Sequence, residues 1–268
     1  MDIRLLGTAA ADGIPGLFSD DEVSQYAREN GGKDVRTRSA ALIDGVLKID
    51  LPPETLAQLQ RDGLSGLDWT ALIFTHSDDD HLAANQIQYA MYPFTDYDHL
   101  PFTIYANTAV SNRIFARYPN WPIEVEVTKS FVPFRHGAHL VTPIRARHIA
   151  GEDCHNLMFT LDGKSLLYAT DTGIWPEETF EYLKDFRLDL LVIECTDGFC
   201  ESEYPGHLGI KDCLMVVDRL RTQGTLSSEA RVFTTHHSSK GMARHCDLER
   251  VLLPHNIEPG YDGLRITI

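Results

Sequence analysis

The sequence predicts an α/β protein of the αββα class, two mixed sheets packed face to face with helices outside. Short apolar runs of strand length alternate with helical patterns, strands dominate the first part of each half, and the two halves repeat this order loosely. With 268 residues and 43% hydrophobic content the chain can bury a large core. No Pro/Gly/Ser-rich linker or low-complexity tract divides it, so residues 1–268 are read as one domain.

Ile3–Leu6 is the first expected strand, and Gly7–Arg38 is read as a long irregular stretch, a length that tends to be functional. Ser39–Ile43 and Val46–Asp50 flank the tight Asp44-Gly45 turn. Pro52-Pro53 opens a helix to Arg61, since proline is tolerated in a first turn. Ala71–Phe74 is a buried strand; Ala83–Tyr92 reads as helix, Phe102–Tyr105 as strand, Thr108–Tyr118 as helix and Ile123–Val127 as strand. Phe131–Phe134 and Ala138–His148 look extended, and Leu157–Leu161 with Ser165–Ala169 forms a hairpin around Asp162-Gly163. Then come helix Pro176–Lys184, strand Leu188–Glu194, helix Ile210–Arg221, strand Arg231–Thr234, helix Ala243–Leu252 and strand Leu264–Ile268.

A formal net charge of −15 argues against nucleic-acid and anionic-membrane partners. The five cysteines include no CxxC pair, which predicts reduced thiols and a cytoplasmic location. The start of the chain lacks a signal-like segment, and no apolar run is long enough for a bilayer.

The chemistry concentrates where the Ala71–Phe74 strand breaks into His76-Ser77-Asp78-Asp79-Asp80-His81. Between Asp62 and Asn112 there is no Lys or Arg, yet seven aspartates fall in that span: 62, 68, 78, 79, 80, 96 and 98. Clustered carboxylates resist burial unless paired or bound to metal. An Asp run is also a common solvated turn or helix cap, and Asp79 is left to that reading. His76, Asp78, Asp80 and His81 form a nitrogen–oxygen donor set suited to divalent transition metals. Three further strand ends close in donors: His148, Asp171 within Ala-Thr-Asp-Thr-Gly, and His236-His237. Singly each is as well explained by structure. Together they match a dinuclear arrangement, with ions about 3.5–4 Å apart sharing a water or hydroxide.

This order of motifs resembles the metallo-β-lactamase superfamily. The resemblance runs through Gly7-Thr8 to Gly13-Ile14-Pro15, the His76–His81 block, His148, Asp171-Thr172, Pro176-Glu177-Glu178-Thr179, Glu194-Cys195, Gly206-His207-Leu208, Thr235-His236 and Gly260-Tyr261-Asp262-Gly263. It is similar to the branch holding the phosphoribosyl cyclic phosphodiesterase of phosphonate breakdown and, more distantly, tRNA 3′-processing ribonucleases. The resemblance implies that His76, Asp78 and His148 hold one ion and Asp80, His81 and His236 the other, with Asp171 between them. It implies Asp80 and His207 as catalytic residues, His207 protonating the leaving group, with Asp50 supporting the ligand loop and His155 and His237 lining the pocket. A surface-loop role explains His207 equally well on sequence alone. The activity implied is hydrolysis of a small, anionic, cyclic phosphodiester by a dinuclear metal-bound hydroxide, in a chain that can form a homodimer.

Three departures qualify this. Asp78 stands where the family has histidine; a harder, charged ligand favours Mn²⁺ or Fe²⁺ over Zn²⁺. Because a flavo-diiron branch also carries a carboxylate there, a di-iron oxidoreductase or oxygen sensor is the alternative, and lactone or thioester hydrolysis is a variant of the first reading. The 7–38 loop lacks the branch's structural-zinc cysteines and Ser239 replaces its fourth ligand, so no structural zinc is expected and packing or a partner must hold the loop. Arg36 and Arg38 end this loop, where they either meet an anionic substrate or are solvated.

Overall fold

The computed structural model describes residues 1–268. One sheet is built from β1 (Asp2–Gly7), β2 (Ala40–Ile43), β3 (Leu47–Ile49), β4 (Ala71–Ile73), β5 (Thr103–Ala106) and β6 (Val125–Val127). The other takes β7 (Phe134–His136), β8 (His139–Arg145), β9 (His155–Leu161), β10 (Lys164–Ala169), β11 (Leu188–Glu194), β12 (Leu226–Thr235) and β13 (Glu258–Pro259). The last strand, β14 (Arg265–Thr267), returns to pair antiparallel with β1. The orders are β14-β1-β2-β3-β4-β5-β6 and β13-β12-β11-β10-β9-β8-β7, seven strands each. Helices α1 (Glu22–Asn30), α2 (Thr55–Asp62) and α3 (Thr108–Arg117) belong to the first half, and α4 (Glu177–Leu183), α5 (Ile210–Thr222) and α6 (His245–Leu252) to the second. This is the αββα sandwich of two mixed sheets. No helix is long and apolar enough to cross a membrane.

Burial on both faces explains the apolar runs. In β11, Leu190 and Val192 face the other sheet, packing with Ile3, Ile43 and Ile49, while Leu191 and Ile193 face Val216 and Leu220 of α5. Truncating a residue such as Leu190 to alanine costs about 2–5 kcal/mol, because the cavity cannot fully collapse. A third apolar layer holds α3 against the outer face of the first sheet through Leu72, Ile104, Val110 and Ile114.

Two local expectations are corrected. The 7–38 stretch contains α1, capped by Asp21, whose carboxylate accepts from the Ser24 amide at 2.8 Å. Val23 and Ala27, one turn apart, bury its apolar edge against Ala9 and Ile14. The helix expected at 83–92 is shorter and of the 3-10 kind, Ala84–Ala90. Ile87 is its one buried residue, and a single anchor flanked by Ala84 and Ala90 at three-residue spacing suits the tighter repeat.

The same loop is fastened at its other end. Asp21 accepts hydrogen bonds from Ser19, Ser24 and Ser239, the last at 2.8 Å, and Asp12 accepts from Ser238 at 3.0 Å. Burial pushes the Asp21 carboxyl up, but the serine donors outweigh it and bring it down to about 2. A serine–aspartate network together with packing therefore fastens this loop.

Candidate metal centre

Strand direction decides where the donors meet. β3 and β4 are parallel, as are β10, β11 and β12, and β8 shares their direction through two antiparallel pairings. Residues following these strands therefore emerge at common sheet edges: Asp50, the His76–His81 loop, His148, Asp171, Glu194 and His236. Asp50, Asp171 and His236 all take positive φ, at 56°, 49° and 55°. Left-handed backbone is uncommon outside glycine and gathers at functional sites, where it turns a strand sharply.

Asp171 is central. Its Oδ2 lies 2.9 Å from His81 Nε2 and 3.1 Å from His236 Nε2, and its Oδ1 lies 3.6 Å from His148 Nε2. His76, His148 and Asp171 form one potential ligand group; Asp80, His81 and His236 form a second; Asp171, His207 and His236 form a third. Asp78 Oδ2 lies 3.2 Å from His148 Nε2 and 3.6 Å from His76 Nε2, so it faces the first group. The structure thus brings together all seven residues expected to bind metal.

The donor set fits divalent cations. Nε2 of His76, His81 and His236 is buried without a hydrogen-bond partner in each case. No Lys or Arg pairs with Asp78, Asp80 or Asp171; their charged partners are imidazoles alone. Anionic oxygens beside unpartnered imidazole nitrogens make a site that a cation completes.

Two buried carboxylates fix the ring orientations. Asp50 sits 2.7 Å from His81 Nδ1 and accepts from Thr75 Oγ1 at 2.9 Å; Thr75 Oγ1 lies 3.0 Å from His76 Nδ1. Because the threonine hydroxyl donates to Asp50, it accepts from His76, which leaves His76 Nε2 as the free lone pair. Glu194 repeats the device. Thr196 Oγ1 donates to Glu194 Oε2 at 2.5 Å and meets His236 Nδ1 at 2.8 Å. Glu194 also accepts from the Thr172 amide at 2.6 Å, beside Asp171, and holds His207 Nδ1 at 3.0 Å. The sequence marked Glu194 only as part of a motif. Its position closing β11, level with Asp171 and His236 closing their own parallel strands, was the available signal.

Burial disfavours charge on His207, but Glu194 outweighs it and raises the imidazole to about 9. Its ring centroid lies 5.0 Å from that of His148 and 5.5 Å from that of His236. For Asp78, hydrogen bonds to His148 and His76 depress the carboxyl. Burial raises the Asp80 carboxyl, but His81 and His236 more than offset it and hold it low.

Other residues lie apart from this centre. Asp79 is exposed and pairs with Arg113, which also reaches the Ser77 carbonyl. Arg36 is 4% exposed and donates to Thr8 Oγ1, the Gly260 carbonyl and His245 Nδ1, which leaves no face for substrate. Arg38 pairs with Glu54 and the Ala11 carbonyl. His155 is buried against Asp153, and its amide bonds the Thr75 carbonyl beside the ligand loop. His237 is buried and meets Thr234 at 3.2 Å.

The sequence model of the beta-lactamase superfamily domain matches residues 41–237, most of the chain and all of these donors. The chain belongs to this superfamily. Solved structures show the same fold. A diphosphatase of the PhnP family is 21% identical with a TM-score of 0.78, covering 100% of this chain and 97% of the other. Zn(2+)-bound PqqB from Methylobacterium extorquens is 17% identical with a TM-score of 0.76, covering both chains fully at 100%. The short form of human tRNase Z, ELAC1, is 17% identical with a TM-score of 0.66, covering 100% and 99%. No curated protein matches the chain by sequence. This superfamily member thus joins the fold to two His/Asp ligand groups, a third that overlaps both, and one histidine held on a buried glutamate.

Proposed function

We propose that this protein is a metal-dependent hydrolase of small anionic phosphodiesters, cyclic ones included. The observation that carries the reading is His207, held on Glu194 beside both ligand groups. Cleavage of a phosphodiester expels an alkoxide, and an alkoxide needs a proton from an acid at that position.

His76, Asp78 and His148 would hold one divalent cation, Asp80, His81 and His236 a second, with Asp171 shared. When bound, such cations supply the Lewis acidity that activates water and offsets charge gathering on phosphorus. Asp78 favours Mn²⁺ or Fe²⁺ over Zn²⁺ in this reading, by its hardness and charge. The chain's own residues do the rest. Asp80, held ionised beside His81, accepts a hydrogen bond from water and orients it. Glu194 keeps Nδ1 of His207 engaged, so the proton is delivered from Nε2 to the leaving oxygen. The same Asp78 would suit an iron pair in redox chemistry, but an imidazole held on Glu194 beside the centre supports hydrolysis.

The test is turnover of bis(p-nitrophenyl) phosphate and ribose cyclic phosphates by manganese-loaded protein. Activity lost in Asp171→Ala is expected; equal rates in both proteins would overturn the reading. Iron-loaded protein that consumes oxygen without hydrolysing any ester would favour the redox alternative.

A further inference from the structure

His207, which belongs to one of the ligand groups, also lines a second feature, a cleft of about 590 Å³. That volume lies within the range of small-molecule sites. Ile174 and Leu214 supply apolar wall, and Arg147, Asp197, Tyr204 and His207 supply its polar edge. Two of these residues tie the cleft to the centre. Arg147 directly precedes His148, and the Tyr204 hydroxyl donates to the His148 carbonyl at 3.0 Å.

The charges lining this cleft are unevenly used. Lys211 and Glu201 at its rim pair with each other at 3.0 Å and are both almost fully exposed. The guanidinium of Arg147 and the carboxylate of Asp197 make no hydrogen bond and no ion pair. One offers donors and the other acceptors. Burial raises the Asp197 carboxyl, the direction expected of a group lacking a partner.

We infer that this cleft receives the leaving half of the substrate, and that this half is a neutral, ring-bearing alcohol with an amide-like edge. The inference rests on the acid role given to His207 above. If His207 protonates the leaving oxygen, whatever that oxygen carries lies against His207, and the cleft is the space that His207 lines. An apolar wall with Tyr204 beside it suits a ring. A donor and an acceptor side chain on one cleft, Arg147 and Asp197, suit a neutral amide-like group over a bare anion, which Asp197 would repel.

The experiment is calorimetric titration of the full chain with 4-(hydroxymethyl)benzamide, benzyl alcohol and 4-(hydroxymethyl)benzoate, which requires no turnover. The benzamide is expected to bind tightest. Arg147→Ala, at an exposed side chain without partners, and Leu214→Trp, which fills the wall, should each weaken it about tenfold, the scale of one lost anchor. Affinity equal in both variants and the wild type, or tighter binding of the benzoate, overturns the inference. Hydrolysis separates the two claims. Benzyl phosphodiesters should lose more kcat/KM than methyl ones in Leu214→Trp, and equal losses overturn the leaving-group assignment. A protein that binds the benzamide as expected yet cleaves no phosphodiester removes the hydrolase reading instead.

Discussion

Nδ1 of His81 lies 2.7 Å from Oδ2 of Asp50, and both side chains are fully buried. Through Thr75 the same carboxylate also turns His76, so one aspartate governs a ring in each ligand group. Glu194 does the equivalent for His236 and His207. Donor direction in this centre is set one shell out, by two carboxylates from opposite sheets.

Asp50→Asn tests that arrangement. Asparagine keeps the shape and tolerates the left-handed backbone at this position. Manganese affinity measured by titration calorimetry is expected to fall about 10–100-fold with the circular dichroism spectrum retained. Unchanged affinity would show that His81 needs no anionic support.

Asp78→His tests the metal preference. Replacing a hard anionic oxygen by imidazole should move selectivity toward zinc. Competition of Mn²⁺ against Zn²⁺, read by elemental analysis of the loaded protein, is expected to shift about tenfold or more toward zinc relative to the native chain. No shift would mean that Asp78 is not a ligand.

His207→Asn removes the acid. The kcat for a substrate with an alkoxide leaving group is expected to drop about 10²–10⁴-fold. With p-nitrophenolate, which departs unprotonated, the drop should be much smaller. Equal drops for both would make His207 a binding group.

His245 gives a pH prediction away from the centre. Burial and the neighbouring Arg36 and Lys33 lower this imidazole to about 4, despite Glu249 and Asp34. Arg36 donates to its Nδ1 at 2.9 Å, which requires the neutral ring. Its folded pKa lies below the unfolded value of about 6.5, so its contribution to stability is intact above that pH. As pH falls from about 6.5 toward 4 the unfolded chain takes up a proton that the folded chain refuses, and stability drops. Urea unfolding across this window should lose about one proton's worth of slope in His245→Asn. An identical slope would place the titration elsewhere.

Asp21→Ala removes the helix cap and the acceptor of three serines at once. A loss of about 1–2 kcal/mol in chemical unfolding is expected from the cap alone. Faster hydrogen exchange confined to residues 12–30 would accompany it. Exchange rates there equal to the native chain's would mean that packing of Val23 and Ala27 suffices.

Most strands were legible as short apolar runs: Leu188–Glu194 is bounded in the structure as the sequence reads it. The donors were legible because each lies in the turn that follows such a strand. Helix α1 was missed because only Val23 and Ala27 carry its apolar face, although Asp21 followed by Ser24 signalled a cap. The 84–90 segment showed helical composition but not which helix, since the 3-10 form follows from tertiary anchoring at Ile87. β13 was not read at all, being two residues long and ending in proline. Arg36 was read as either a substrate contact or a solvated loop end and is neither; its burial depends on Gly260 and His245, more than two hundred residues away. The grip of Glu194 on His207 has no local signature either, because it joins a strand end to a loop.

The left-handed corners at Asp50, Asp171 and His236 carry a final consequence. Main-chain bends locked between sheets persist whether or not a guest is present, so the receptacle keeps its shape when emptied. Chelation should then be reversible without unfolding, and swapping one element for another would proceed like changing a bulb in a fixed socket.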